Sequence, residues 1–198
     1  MKHFYFNCLM AVFAMFFSAH LYGQSTATID GIKYQLNGVE AYVIGYTGAP
    51  VDVTIPETIT TNGLTFKVTS IKQECFKNCS SLIKFQADYV TSIESECFRN
   101  CHKLKEVRIR NTREIGYSAF KYCDSLEVVD LGNHPIQFHY AYDYYTKEEE
   151  CVFGYCTNLK YIVIPAGSKF DDYSLFAGCY SLQSIIYLGE DSGQLSSN

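Results

Sequence analysis

The residues best equipped for chemistry in this chain are its cysteines. Nine occur among 198 residues, and four of them form two C-x-x-x-C pairs, Cys75/Cys79 and Cys97/Cys101, set 22 residues apart. Four thiolates converging in space would make a metal site. His102 adjoins Cys101, yet a nucleophilic cysteine needs a histidine that meets it in space and a third group to orient that histidine. A second cluster, His134 and His139 followed by Glu148, Glu149 and Glu150, offers nitrogen and oxygen donors at unspecific spacing. No phosphate-cradling glycine loop, G-x-S-x-G elbow or H-E-x-x-H pair occurs.

A repeat positions these cysteines. Cys97–Leu131 carries one short frame twice, F-x-x-C-x-x-L-x-x-φ-x-φ with φ apolar, from Phe98 and again from Phe120. The frame also starts at Phe76, Phe153 and Phe176, at successive spacings of 22, 22, 33 and 23 residues. A period of 20–29 residues containing L-x-x-φ-x-φ signals a solenoid. One unit cannot stand alone. Its six or so apolar side chains gain roughly 1.5–3 kcal/mol each on burial, whereas ordering its backbone costs about 1–2 kcal/mol per residue. Stacked units cover one another and can fold.

The register then weighs packing against chemistry. The column holding Cys75 and Cys97 continues as Ala119, Val152 and Leu175, which cannot ligate a metal. The column of Cys79, Cys101, Cys123, Cys156 and Cys179 recurs in every unit, as a packing position would, and free cysteine behaves as a small buried hydrophobe. Structural thiols are therefore the main expectation. Disulfides stay open as an alternative, because stacked units would hold Cys75 and Cys97 about one strand spacing apart in a chain that reaches an oxidising compartment. His102 shares its column with Ser80, Asp124, Thr157 and Tyr180 and reads as a solvated turn residue.

The frame I-x-x-x-A/C-F-x-x-C-x-x-L-x-x-φ-x-φ resembles the BspA-like leucine-rich repeat family, common among exported and surface proteins of host-associated bacteria. The resemblance covers about Leu64–Gly189. It implies a right-handed α/β leucine-rich repeat solenoid that recognises other macromolecules, mainly β with short helical turns, of about five repeats of 22–23 residues with a parallel concave sheet. The isoleucine five residues before phenylalanine is present as Ile71, Ile93 and Ile115, and is replaced by Glu148 and Asp171 in the last two copies.

Around the repeats the chain divides further. Residues 1–23 read as an export signal, with Lys2 and His3 before the apolar run Phe4–Phe17 and small residues at Ser18–Gly23. The run is short for a membrane span, which needs about 20 residues, so no transmembrane anchor is expected after cleavage. The expected location is outside the cytoplasm: cell surface, secreted or periplasmic. Residues 24–66 show strand alternation without the frame, with turns at Asn37-Gly38, Gly48-Ala49-Pro50 and Asn62-Gly63, and are expected to cap the first rung. The solenoid itself spans 67–189. An 11-residue insertion falls within 134–150, and 190–198 reads as a flexible tail. A formal net charge of −5 argues against nucleic acid, which favours a basic stripe.

Side chains alternate along a strand, so the residues between the φ positions point outward. On the first two rungs these are charged, Lys84 and Asp88, then Glu106, Arg108 and Arg110. Val128 and Asp130 follow, and the last two rungs present Tyr161, Val163, Ile186 and Leu188. Two readings stand for the apolar end: an interaction surface, or a strip covered by the insertion. The insertion carries Phe138, Tyr140, Tyr142, Tyr144 and Tyr145, and it too is either a binding loop or a hairpin that plugs the array. The expected binding residues are therefore Glu106, Arg108, Arg110, Val128, Asp130, Tyr161, Val163 and Ile186, with Tyr140, Tyr142, Tyr144 and Tyr145. No catalytic residue, metal or cofactor is expected. The expected function is binding of a protein ligand, from host matrix or a bacterial surface. Glycan binding through the insertion tyrosines is the alternative, and an enzyme using a cysteine or a metal in the insertion is a further one.

Overall fold

The computed structural model describes residues 25–143, 148–170 and 175–188. The expected export segment at 1–23 and tail at 190–198 lie outside the described residues, as do Tyr144 and Tyr145.

Six strands open the fold: β1 (Ser25–Ile29), β2 (Ile32–Asn37), β3 (Glu40–Tyr46), β4 (Asp52–Thr54), β5 (Thr58–Thr61) and β6 (Leu64–Ile71). Each later rung adds one strand to each of two walls. The front wall receives β7 (Lys84–Gln86), β9 (Glu106–Arg108), β11 (Val128–Asp130), β15 (Tyr161–Ile164) and β17 (Ser184–Tyr187). The back wall receives β8 (Ser92–Ile93), β10 (Glu114–Ile115), β12 (Gln137–Phe138) and β16 (Lys169–Phe170). In front, β4, β7, β9 and β11 form one parallel sheet, with Val53, Phe85, Val107 and Val129 in register. Strands β15 and β17 form a separate parallel pair. Behind, Ile71, Ile93, Ile115, Phe138 and Phe170 stand in one row. The strand β4 places a front strand ahead of the five repeats although its segment lacks the F-x-x-C frame.

The row at the back shows where the extra residues enter. Phe138 and Phe170 hold the places that Ile71, Ile93 and Ile115 hold earlier, rather than Glu148 and Asp171. Most of the insertion thus follows the fourth back strand. His139 N still donates to Ile115 O at 2.9 Å, as Gly116 N does to Ile93 O at 2.8 Å one rung earlier. The chain then leaves as an antiparallel hairpin, β13 (Tyr142–Asp143) against β14 (Glu148–Glu149).

The corner between back and front strands is not helical, and no helix occurs among the described residues; the expected short helical turns are corrected on this point. In the first three corners two residues take left-handed backbone, Glu74 and Asn78, Glu96 and Asn100, Ser118 and Tyr122, and in the fourth Tyr155 alone does. A right-handed helix cannot pass through such residues. The corner N–H groups instead bond between rungs, Phe76 N to Cys97 O, Phe98 N to Ala119 O and Phe120 N to Val152 O, all at 2.7–2.8 Å. Gly178 holds the second left-handed position of the last corner, where a Cβ would stand 2.5 Å from Tyr155 Cδ1. Glycine alone fits there.

Inside the walls the phenylalanines stack. Tyr46, Phe76, Phe98, Phe120, Phe153 and Phe176 form one column with centroids 5.1–5.5 Å apart and planes within 10°. Phe76 through Phe153 are fully buried, while Phe176 is only partly so. The cysteine column runs beside the rings. Each thiol donates to the carbonyl of the preceding rung's phenylalanine: Cys101 to Phe76 at 3.0 Å, Cys123 to Phe98 at 3.1 Å, Cys156 to Phe120 at 3.2 Å and Cys179 to Phe153 at 2.9 Å. Sulfur gives only a weak hydrogen bond, and here it adds a second one to a carbonyl that already accepts the backbone N–H of its own rung's cysteine.

A ladder of ion pairs follows the same corner. Lys77 reaches Glu74 of its own rung (3.0 Å) and Glu96 of the next (2.6 Å). Arg99 reaches Glu96 (3.4 Å) and Glu150 (2.9 Å). The third rung has Ser118 where an acid would stand, and Glu150 arrives from the end of the insertion to take its place. Its carboxylate accepts from Ser118 Oγ, Arg99 and the fully buried Lys121 (3.2 Å). Glu150 N also donates to Ala141 O at 2.8 Å, which closes the base of the hairpin on the residue that binds the corner ladder.

Two outcomes test this packing. Phe120→Ala, with a ring above and below, is expected to cost about 3–5 kcal/mol in urea unfolding, and Phe176→Ala distinctly less. Glu150→Ala should destabilise the fold by about 3–5 kcal/mol, by removing the buried acid that Ser118, Arg99 and Lys121 share. Replacing Lys121 by Met in the same chain should recover part of that loss.

Candidate interaction face

The front wall orients the expected binding residues by simple alternation. Val107 and Ile162 point into the core and are buried, and their neighbours point outward. Register then sets the charges opposite one another. Lys84 stands beside Glu106 and bonds it at 2.9 Å. Arg108 reaches back to Asp88 at 3.0 Å, and Arg110 bonds Asp130 at 2.7 Å. Asp88 also accepts from Gln86 Nε2 at 2.8 Å.

The titration behaviour agrees with this pairing. Hydrogen bonding to Glu106 pushes Lys84 upward, and Asp130 does the same to Arg110. At Asp130 burial pushes the carboxyl up, but Arg110 and the Gly132 N–H outweigh it and hold the group below the usual carboxylate range. Glu106, Arg108, Arg110 and Asp130 are thus brought together, each already holding a partner from the neighbouring rung.

Further along, the face changes. Val128 is 44% exposed, Tyr161 58%, Ile186 47% and Leu188 56%. Val163 and Ile186 are register partners on β15 and β17, and Tyr161 stands beside Ser184. No charged residue of β15 or β17 interrupts this strip. Val128 lies on β11, and among the described residues no ladder joins β11 to β15. Of the insertion tyrosines, Tyr140 is half-buried at the hairpin base, Tyr142 lies on β13, and Tyr144 and Tyr145 fall outside the described residues.

The side chains best equipped for chemistry lie apart. Among the described residues no cluster of three His, Cys, Asp or Glu side chains could hold a metal. The eight described cysteines are free thiols. Burial pushes Cys101 up to about 12 and Cys97, Cys123 and Cys156 well above the usual thiol range, which suppresses the nucleophilic thiolate. His102 is exposed and bonds Asp124 of the next rung at 2.7 Å. A separate cleft of about 300 Å³ lies at the N-terminal end, lined by Asp30, Thr47, Pro50, Asp52 and Thr54 above the buried Tyr34. Burial, with Asp30 nearby, raises the Tyr34 hydroxyl to about 12.

Sequence reasoning missed three features: the cross-rung pairing of the front charges, Tyr46 as first ring of the stack, and Glu150 as the acid that completes the corner ladder. A signal for the ladder was present, since Lys77, Arg99 and Lys121 share the position after the repeat phenylalanine while Glu74 and Glu96 share one before it.

Comparison with known proteins agrees with this architecture. No curated protein matches the chain. Among solved structures it is similar to a leucine-rich cell surface protein of Faecalibacterium prausnitzii A2-165, with 27% identity and a TM-score of 0.68 over 83% of this chain and 43% of that one. It shares its fold with a leucine-rich repeat protein of Bacteroides ovatus ATCC 8483 (24% identity, TM-score 0.65, 82% of this chain and 41% of that one). The leucine-rich repeat protein of T. pallidum shows the same fold (24%, 0.63, 81% and 71%). The chain spans less than half the length of the first two. The BspA type leucine rich repeat region matches in six copies, over residues 46–147 and 69–193. With ring stack, thiol column and strand ladders all keeping that repeat, the chain belongs to the BspA-type leucine-rich repeat family.

Proposed function

We propose that this chain is an exported binding protein that engages a protein ligand, of host matrix or a bacterial surface, through the front face of its last rungs. One observation carries this reading. The charges on the first rungs neutralise one another across strands, whereas Tyr161, Ile186 and Leu188 stay exposed beside the half-buried Val163. An exposed apolar strip of this kind marks an interaction site, and tyrosine is a frequent anchor of interface energy. The tyrosine-rich hairpin enters beside the same rungs and would add contact area, with Tyr140 and Tyr142 nearest its base. The cell surface description of the F. prausnitzii protein supports export, and no helix of the described residues is long and apolar enough to cross a membrane. In this reading the repeats form a scaffold without catalysis, since its thiols are spent on packing.

The test begins with the purified protein on arrays of matrix proteins and of glycans. For a protein bound there, Tyr161→Ala should weaken affinity by more than about 1 kcal/mol, roughly fivefold, with the urea midpoint unchanged. Unchanged affinity in both Tyr161→Ala and Val163→Asp would move the site elsewhere, with the N-terminal cleft next. Loss of binding after periodate treatment of the target would favour a glycan. Alkylation of the reduced, folded protein addresses the enzyme alternative. Of the described cysteines, the partly exposed Cys179 should react first and the buried columns only on unfolding. Rapid modification of a buried thiol would reopen catalysis.

A further inference from the structure

The cleft at the N-terminal end has a chemistry of its own. It encloses about 300 Å³ between the β1–β2 turn, the segment after β3 and strand β4. The turn is Asp30-Gly31, both residues left-handed with φ of 49° and 79°, as a two-residue type I′ hairpin requires. That turn accounts for the backbone of Asp30. Its exposed carboxylate takes part in no hydrogen bond or ion pair among the described residues. Asp52 is in the same state. Its register neighbour Lys84 feels its charge but bonds Glu106 instead, at 2.9 Å.

Beneath them lies Tyr34. The residue is 2% exposed, yet its hydroxyl bonds to none of the described residues. Among the described side chains, Ser70 Oγ is the one polar atom both sealed and unpartnered. The Tyr34 hydroxyl is therefore not sealed, and it opens onto the cleft that the residue lines. A hydroxyl set in an apolar wall without a partner costs stability, and a ligand would supply that partner. Burial, with Asp30 nearby, raises this group to about 12, so at neutral pH it keeps its proton and can donate or accept.

Charge and wall chemistry select the ligand. No lysine, arginine or histidine lines the cleft. Thr47 already donates its hydroxyl proton to Gly31 O at 3.3 Å, so acceptors outnumber donors. Ile32, Val53, Pro50 and Pro56 supply apolar wall. A neutral sugar would need donors as well as acceptors. A divalent cation takes about six to eight oxygen ligands, and among the described residues no third acidic group joins the two carboxylates. An ammonium brings three donors and no acceptor, and its alkyl stem can lie on apolar wall while the head meets oxygen.

We propose that this cleft binds a primary ammonium on an alkyl chain, held by the Asp30 and Asp52 carboxylates over the Tyr34 hydroxyl. The same chemistry is presented by a lysine side chain of a partner protein and by a free aliphatic diamine. The site lies at the first front strand, away from the last rungs, and does not rest on the role of their apolar strip.

Calorimetric titration of the purified protein at low salt tests this with two probes, Nα-acetyl-lysine methylamide for a peptide lysine and cadaverine for a free diamine. Both should bind saturably, one per chain, and the tighter of the two identifies the source. Nα,Nε-diacetyl-lysine methylamide keeps the stem and loses the charge, and should bind at least about tenfold more weakly. Asp30→Asn preserves the turn, since asparagine before glycine suits it equally, and Tyr34→Phe preserves the ring. Each should weaken both probes by about tenfold with the urea midpoint no lower than that of wild type. Should Tyr34→Phe lower the midpoint, Asp30→Asn and Asp52→Asn, both at exposed residues, decide the matter. The proposal is overturned if neither amine binds, if the diacetylated probe binds as well as the charged one, or if the aspartate variants bind as wild type does. Saturable binding of glucose in place of both amines overturns it too, and would make the cleft a sugar site.

Discussion

Everything in this molecule depends on each rung being covered by the next. A single unit of about 22 residues buries too little to offset its own ordering, so the contacts that matter are those repeated between units. Three run in parallel at the corner: ring on ring, corner N–H to the next rung's carbonyl, and thiol to the preceding rung's carbonyl. Alternate corner N–H groups bond between rungs, as from Phe76 and Asn78, and the others close i→i−3 turns, as from Lys77 and Cys79, so no i→i−4 ladder forms. The left-handed residues at either end of the corner are the local cost of that arrangement.

Much of this was legible in the sequence, and the reasons it stopped being legible are physical. The phenylalanine and cysteine columns could be read because side chains that stack on their own equivalents must repeat in type. The back wall required only bulk, so Phe138 and Phe170 could replace isoleucine at shifted spacing and the pattern broke. Tyr46 lay outside the frame because the ring stack asks for an aromatic at its end and not for the rest of the repeat. The corner conformation was hidden as well. Its left-handed sites carry asparagine in two rungs, but glutamate, serine and tyrosine elsewhere, residues that give no such signal.

The front face teaches a different limit. Alternation gave the outward residues correctly as positions on strands, but not their partners, since pairing depends on which rung's residue lies beside which. Glu106 and Arg110 look available in a linear reading and are occupied in the fold. Tyr161 and Ile186 already mark an apolar end in the sequence, and the fold leaves them exposed beside charges that have cancelled. The thiols keep the packing role that their register predicts, and burial beside the rings adds the role of weak donor, which the sequence does not show.

Glu150 sets a boundary on how this chain can be lengthened or shortened. Upstream of it, every corner cation finds one acid at home and another next door, so a rung copied between Phe76 and Phe120 would meet the same partners on both faces. Across it, the counter-ion is borrowed from a hairpin, and Gly154 then replaces the cation and leaves its neighbour Lys121 room. A single repeat gained or lost in the first half should therefore meet matched joints, whereas a fourth rung without its hairpin should leave the corner ladder short of the Glu150 carboxylate.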